Sequence, residues 1–269
     1  MADAPGNEIT IRPATTEDVA GIAELFSQLS ERSARLRFSH TLDEEQRWAY
    51  AELTKATTSL VAVHDAAIVA EARYVTAGGT PPELAMTVAD SHQGRGLGTR
   101  LLDALRSCAR EDGVVALRAV VRTDNQAMLR LLRTTSTAIV APVEESEVAF
   151  DLATDAYMPP WPTGGNSRKV LIETRTLLDT PEVQALWEAG LEVRKCMGPN
   201  DEAGRSCPAL EHGLCRLADD ADLVVTLLPE SDRSCRLIAD DHAEHRTEAL
   251  VARTQAQWRA VASGLARED

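Results

Sequence analysis

Aromatic side chains are scarce in this 269-residue chain: three Phe, three Tyr and four Trp make up 4% of it. Its cores must therefore be built mostly from Ala, Val, Leu and Ile. No apolar run is long enough to span a bilayer. The first residues, Met-Ala-Asp-Ala-Pro-Gly-Asn-Glu, lack the basic and apolar regions of a signal peptide. A cytoplasmic location is the expectation. Basic charge is also in deficit, with 28 Lys and Arg against 42 Asp and Glu and a net charge of −14. Residues 1–167 carry 15 basic against 23 acidic side chains, and residues 168–269 carry 13 against 19. Neither part is expected to bind nucleic acid or an anionic membrane. A cationic partner, such as a lysine side chain or an amine, is drawn to such a surface. The five cysteines include no Cys-x-x-Cys knuckle. With an odd count and no export signal, disulfides are not expected. Internal repeats and low-complexity tracts are absent from the sequence.

What is present is ordinary for a soluble globular protein, with 44% hydrophobic and 26% charged residues. The length suggests about two domains. Residues 9–13 have a strand pattern. Residues 18–29 follow with helical spacing, placing Val19, Ile22, Ala23, Leu25 and Phe26 on one face. Residues 30–38 and 43–53 predict two more short helices, and 59–63, 68–76 and 83–89 predict strands. A helix with Leu97, Leu101, Leu102, Leu105 and Cys108 on its apolar face comes next. Then follow a strand over 114–122, a helix over 125–132 and a hairpin of 138–143 with 147–152. Three prolines and two glycines between 155 and 168 predict a linker. The expected division is a domain over 1–152, a linker over 153–168 and a second domain over 169–269.

Residues 93–99 read Gln-Gly-Arg-Gly-Leu-Gly-Thr, directly after the strand Glu-Leu-Ala-Met-Thr-Val-Ala and directly before the amphipathic helix. A strand, a glycine-rich turn and a helix start together make a cradle for a pyrophosphate. The first amides of a helix have no internal partner, and the helix dipole favours an anion there. Gly94, Gly96 and Gly98 let the backbone approach closely. A dinucleotide fold is excluded as the source of this pattern, because the third glycine is wrongly spaced and no acidic residue ends a following strand as that fold requires.

The order of elements over residues 8–152, with Gln93, Gly96 and Gly98 matching Gln/Arg-x-x-Gly-x-Gly/Ala, resembles the GNAT N-acetyltransferase superfamily, nearest its bacterial protein-lysine branch. The resemblance implies a mixed, splayed central sheet flanked by helices, with acetyl-CoA as donor. Backbone amides of Gly94, Arg95, Gly96, Leu97, Gly98 and Thr99 would hold the pyrophosphate, beside Gln93. Thr87 and Val88 would pair with the pantetheine arm, and the Val88 N–H would steady the developing oxyanion. Asn125 stands where the family often places a CoA contact, or it is a helix N-cap. Glu83 matches the family's catalytic glutamate and would take the proton from the attacking amine. Strand alternation puts Glu83, Ala85 and Thr87 on one face. Arg35-Leu-Arg-Phe38 resembles a segment that lines the acceptor side in the protein-lysine branch. Two departures stand out: the helix after Asn125 lacks the tyrosine that many relatives use to protonate the leaving thiolate, and Thr-Thr-Ser-Thr over 134–137 replaces the usual Leu-Gly-Phe turn.

The second part predicts strands at 169–173, 191–195, 221–228 and 236–239, a helix after Pro181 and one long helix over 243–266. The alternation implies a small three-layer α/β domain with a mostly parallel sheet. Its densest feature is Cys196, Cys207, His212 and Cys215 in or beside loops. These four form a candidate zinc site, a redox pair of Cys207 with Cys215, or small buried residues. The functional expectation is an N-acetyltransferase acting on a primary amine, a protein lysine or a small molecule. The alternative is an acyl-CoA-binding sensor that has lost catalysis. A homodimer is left open.

Overall fold

The computed structural model describes residues 8–75, 81–135, 137–140, 146–162, 167–199, 207–229, 231–245, 249–251, 258–260, 262 and 264. The chain divides into two compact units, Met1–Leu117 and Arg118–Asp269.

The sheet of the first unit is an antiparallel meander of β1 (Thr10–Pro13), β2 (Thr58–His64), β3 (Ala67–Val75) and β4 (Glu83–Val88). A tight turn joins β2 to β3 through Asp65 and Ala66, at φ 47° and 63°. Positive φ at both central residues matches the right-handed twist of the flanking strands. The helices are α1 (Val19–Ser27), α2 (Glu31–Phe38), α3 (Glu44–Glu52) and α4 (Leu97–Glu111). Their starts follow from local chemistry. Ser30 accepts a hydrogen bond from the Ser33 amide, and Asp43 with Gln46 forms a reciprocal capping box. The expected apolar face of α1 is the buried one: Val19, Ile22, Ala23, Leu25 and Phe26. Phe26, Phe38 and Tyr50 contact one another in sequence, the first pair edge to face, with centroids 5.1 and 4.9 Å apart, and bind α1, α2 and α3 together. The four leucines Leu97, Leu101, Leu102 and Leu105 are buried and seat α4 across β2, β3 and β4.

The sheet of the second unit runs in the order β5 (Ala116–Arg122), β7 (Glu147–Ala153), β6 (Thr137–Val140), β9 (Glu192–Cys196), β8 (Lys169–Glu173), β10 (Leu223–Thr226) and β11 (Ala249–Val251). The division between the units falls inside β5. β6 is antiparallel to both β7 and β9, whereas β9, β8, β10 and β11 are mutually parallel. β8, β9 and β10 are buried on both faces. Val170, Ile172, Val193, Leu223 and Val225 pack with α6 (Pro181–Glu188) and Trp258, while Leu171 and Val224 pack with Cys196, Cys215, Met158 and Trp161.

Three expectations change. The segment read as a linker is packed where it is described. Met158 and Trp161 are buried, and the Trp161 indole N–H donates to the Leu217 carbonyl at 2.9 Å. Proline-fixed extended chain serves packing as readily as spacing. Residues 236–239 lie in α9 (Arg233–His245), not in a strand. Asp232 accepts from the amides of Ser234 and Cys235 at 3.0 and 3.3 Å, and this cap prevails over a short apolar run. The outer parallel strand is instead β11, which interrupts the single helix expected over 243–266.

One internal feature of the first unit makes a sharp stability test. Arg73 on β3 donates its Nε–H to the Glu71 carboxylate and its Nη1–H to the Tyr50 carbonyl at 2.7 Å, and both charged side chains are enclosed. Glu71→Ala leaves a buried guanidinium uncompensated and is expected to cost about 3–5 kcal/mol. The apolar double substitution Glu71→Leu with Arg73→Met is expected to cost less than the single change. Urea unfolding of the three proteins checks this order, and a harmless Glu71→Ala would refute it.

Candidate functional site

After β4 the chain makes a 3-10 turn at Asp90–His92 and enters α4 through Gln93, Gly94, Arg95 and Gly96. Gly94 and Gly96 sit at φ +72° and +77°, where L side chains are strained, and a Cβ on either would meet nothing within 4 Å. They are thus required by backbone conformation and by the open approach they leave, not by crowding. Gly96 occupies the N-cap position in the left-handed region and supplies no side-chain cap, and the first turn holds no acid. The amides of Leu97, Gly98 and Thr99 stand at the helix start, where no carbonyl lies one turn earlier. The Leu97 side chain is buried, while Arg95 and Arg100 are exposed beside the turn. Bare amides, the positive helix end and two arginines suit a diphosphate. Gln93 is engaged within the protein. Its side-chain amide donates to the Val88 carbonyl at 3.0 Å and to Ser33 Oγ at 3.3 Å, bracing the turn against β4 and α2.

The register of β3 with β4 places Glu71 opposite Thr87, Arg73 opposite Ala85 and Val75 opposite Glu83. Glu83, Ala85 and Thr87 therefore share a face with Glu71 and Arg73. Glu83 is exposed at the start of β4, and Thr87 is buried near its end. α2 packs against β4. Burial lowers the pKa of Arg37 on α2, a shift opposed by the charge of Glu71 and reinforced by that of Arg73, with Tyr50 and Glu83 acting more weakly against it. Four enclosed side-chain atoms here have no hydrogen-bond partner among the described residues: Arg37 Nε, Glu71 Oε2, Arg73 Nη2 and Thr87 Oγ1. The sequence reading missed Glu71 and Arg73. Their signal was two charges two residues apart inside an apolar strand run, which puts both on one buried face.

The amide of Ala89 donates to the Val69 carbonyl at 2.9 Å. Alternation along an antiparallel ladder then turns the Val88 N–H away from β3. Asn125 belongs to the second unit, where its side chain accepts from the Met128 amide at 3.1 Å and caps α5 (Gln126–Arg133). Cys196, Cys207, Cys215 and His212 do not assemble as the zinc site considered above. Among the described residues, no group of three or more His, Cys, Asp or Glu side chains is arranged to hold a metal ion. Cys196 and Cys215 lie in one apolar cluster, Cys207 lies in another with Leu228, Cys235 and Ile238, and His212 stands on the surface against Tyr157. Burial, aided by Cys196, pushes the Cys215 thiol far up and keeps its proton on, the reverse of what a metal ligand needs.

A pair of imidazoles flanks the glycine-rich turn. His64 Nδ1 and His92 Nε2 are 3.0 Å apart, so one ring donates and the other accepts. Ser91 Oγ meets His92 Nδ1 at 2.8 Å. Burial, then His64, then Arg95 hold the pKa of His92 below the ordinary imidazole value of 6.5. The folded state thus binds fewer protons than the unfolded chain in the window just below 6.5, and stability falls as the pH is lowered through it. Thermal unfolding between pH 7.5 and 5 is expected to show this loss, and His92→Gln is expected to flatten it. An unchanged slope in the variant would remove His92 from the account.

Residues 8–135 match the family model described as an acetyltransferase (GNAT) domain. The protein "Acetyltransferase Pat" of Mycolicibacterium smegmatis is 43% identical over 67 residues, which are 24% of this chain and 20% of that relative. The chain thus matches only about a fifth of that protein's length. Among solved structures, the GNAT domain of S. lividans PAT is 26% identical, covering 53% of this chain and 89% of its own at a TM-score of 0.46. The putative acetyltransferase yncA of Salmonella typhimurium is 24% identical, covering 56% and 96% at a TM-score of 0.43. The strand, turn and helix that form the anion cradle fall inside this segment, which is similar to the GNAT acetyltransferase family.

Proposed function

We propose that the protein transfers an acetyl group from acetyl-CoA to a primary amine, a protein lysine in the first instance, with Glu83 as general base. The observation that carries this reading is the pairing of an open helix-start cradle at one end of β4 with an exposed carboxylate at the other. The family match over residues 8–135 supports the reaction class. The solved structure of yncA was determined with its cofactor acetyl-CoA.

Acetyl-CoA supplies the thioester, and the chain's own residues bind, orient and move the proton. The amides of Leu97, Gly98 and Thr99 hold the diphosphate, with Arg95 and Arg100 alongside. A protonated amine has no lone pair, so its proton must leave before attack. The Glu83 carboxylate accepts that proton, directly or through a water, and then returns it to solvent. The Val88 N–H, turned away from β3, donates to the oxygen on which negative charge develops. The amine nitrogen bonds to the acetyl carbon to give a tetrahedral intermediate, which collapses as the carbon–sulfur bond breaks. The sulfur leaves with the electron pair, and the second proton of the nitrogen passes to that thiolate or to solvent, releasing the amide and CoA. The acidic surface favours a cationic acceptor, in keeping with a lysine side chain.

Glu83→Gln keeps the size of the side chain and removes the base. It is expected to bind acetyl-CoA as the wild type does while losing about 10²- to 10⁴-fold in kcat on lysine peptides. Calorimetric titration with CoA and a thiol-release assay separate these effects. A wild-type protein that binds acetyl-CoA yet acetylates neither lysine peptides nor small amines would overturn the proposal.

A further inference from the structure

Asp90 lies outside the cradle, and neither the family match nor the proposed chemistry gives it a role. Its carboxylate gathers three donors from the first turn of α2: the Ser30 amide at 2.9 Å, Ser30 Oγ at 3.0 Å and Ser33 Oγ at 2.7 Å. Ser30 is itself the N-cap of α2, accepting from the Ser33 amide at 3.2 Å. Ser33 Oγ also receives the Gln93 side-chain amide, whose other contact is the Val88 carbonyl. The 3-10 turn before the cradle, the last residue of β4 and the start of α2 therefore meet in one continuous hydrogen-bonded clasp. The hydrogen bonds hold the Asp90 pKa below the ordinary carboxylate value against its partial burial, so the carboxylate is charged throughout the neutral range.

We infer that Asp90, Ser33 and Gln93 are positioning residues that make α2 a structural part of the acetyl-CoA cradle. The inference rests on the reading of residues 94–99 as that cradle. The direction of Gln93 fixes the mechanics. Its side chain points back to β4 and α2, so its contribution to CoA binding is to set the path of the backbone through Gly94 and Gly96. Ser33 holds the Gln93 amide in place, and Asp90 holds Ser33. Each link uses a short side chain and a charged or fixed partner, which limits the freedom of the turn. α2 also carries Arg37 and packs on β4, so the same clasp sets the height of that helix above the Glu83 face.

The test compares Ser33→Ala, Ser33→Thr and Asp90→Ala in the full chain. Ser27→Ala serves as control, because among the described residues that hydroxyl bonds within α1, to the Glu24 carbonyl. Ser33→Ala is expected to raise the KM for acetyl-CoA about three- to ten-fold with kcat within about two-fold, the size of one or two net hydrogen bonds. Ser33→Thr keeps the hydroxyl and should restore the wild-type KM, and Asp90→Ala should exceed Ser33→Ala. Titration with CoA should show the same ranking in Kd. Hydrogen exchange should show α2 amides gaining protection when CoA binds to the wild type and losing that gain in Ser33→Ala. A purely structural role would lower thermal stability in Ser33→Ala and leave KM and Kd in place, which would overturn the inference. Failure of Ser33→Thr to restore binding would overturn it too. A wild-type chain that does not bind CoA at all would refute the cradle itself, a result distinct from normal CoA binding by every variant.

Discussion

The burial of four leucines along one side of α4 is the constraint on which the site depends. A helix start offers bare amides wherever it occurs, but it becomes a binding site only if it is held still and aimed. Leu97, Leu101, Leu102 and Leu105 hold α4 against β2, β3 and β4. Leu97 is the first helical residue and is itself buried, so the seating reaches to the end of the helix that must stay open. With α4 fixed and β4 paired along its length, the eight residues from Ala89 to Gly96 have to close a short gap with a sharp reversal. That is why glycines at φ above +70° stand at 94 and 96. The geometry of the cradle thus follows from apolar packing one turn away.

Much of this was legible in the sequence, and the reasons are physical. The period of α4, the glycine spacing and the alternation in β4 are local signals, and each survives without knowledge of what packs against it. The apolar face of α1 was legible for the same reason. What escaped reading depended on partners distant in the chain. Nothing in the neighbourhood of Gln93 reveals that Ser33, sixty residues earlier, receives its amide. Residues 236–239 looked like a strand because their apolar run was read without the Asp232 cap, and residues 249–251 looked helical because a strand so short has no periodicity of its own. The Pro- and Gly-rich stretch before β8 looked like a linker because composition does not report that Trp161 finds a carbonyl partner at Leu217.

In the second unit, the cysteines illustrate how residue type misleads without environment. Four of the five are buried, and they are shared between apolar clusters. A thiol in such surroundings keeps its proton and behaves as a small apolar group. Cys215 does carry a polar duty, accepting from the Ala218 amide at the start of α8 (Arg216–Asp219) at 3.5 Å. That duty needs a weak acceptor rather than a metal ligand. The charges in this unit are likewise paired inward, as when Lys195 donates to Asp179 and to the Leu177 carbonyl. This pair ties β9 to the loop that follows the neighbouring strand β8.

The face that carries Glu83 combines two demands that oppose each other. The general base proposed above would have to be exposed to reach a substrate, and Glu83 is exposed. Deeper on the same face, Glu71 and Arg73 are enclosed, a placement that costs desolvation and is rarely the most stable solution for a core. An apolar pair at these positions would pack at least as well. The retained pair gives something an apolar pair cannot: directional hydrogen bonds that bind β3 to the α3 backbone at Tyr50 and set a fixed field beneath Arg37. Polar atoms left without partners cost free energy, and here four of them gather on this one face, reaching Thr87 near the end of β4. Another such atom in the first unit, Thr54 Oγ1, lies apart from them, and the four gathered here mark a face where polar groups are kept at the expense of stability.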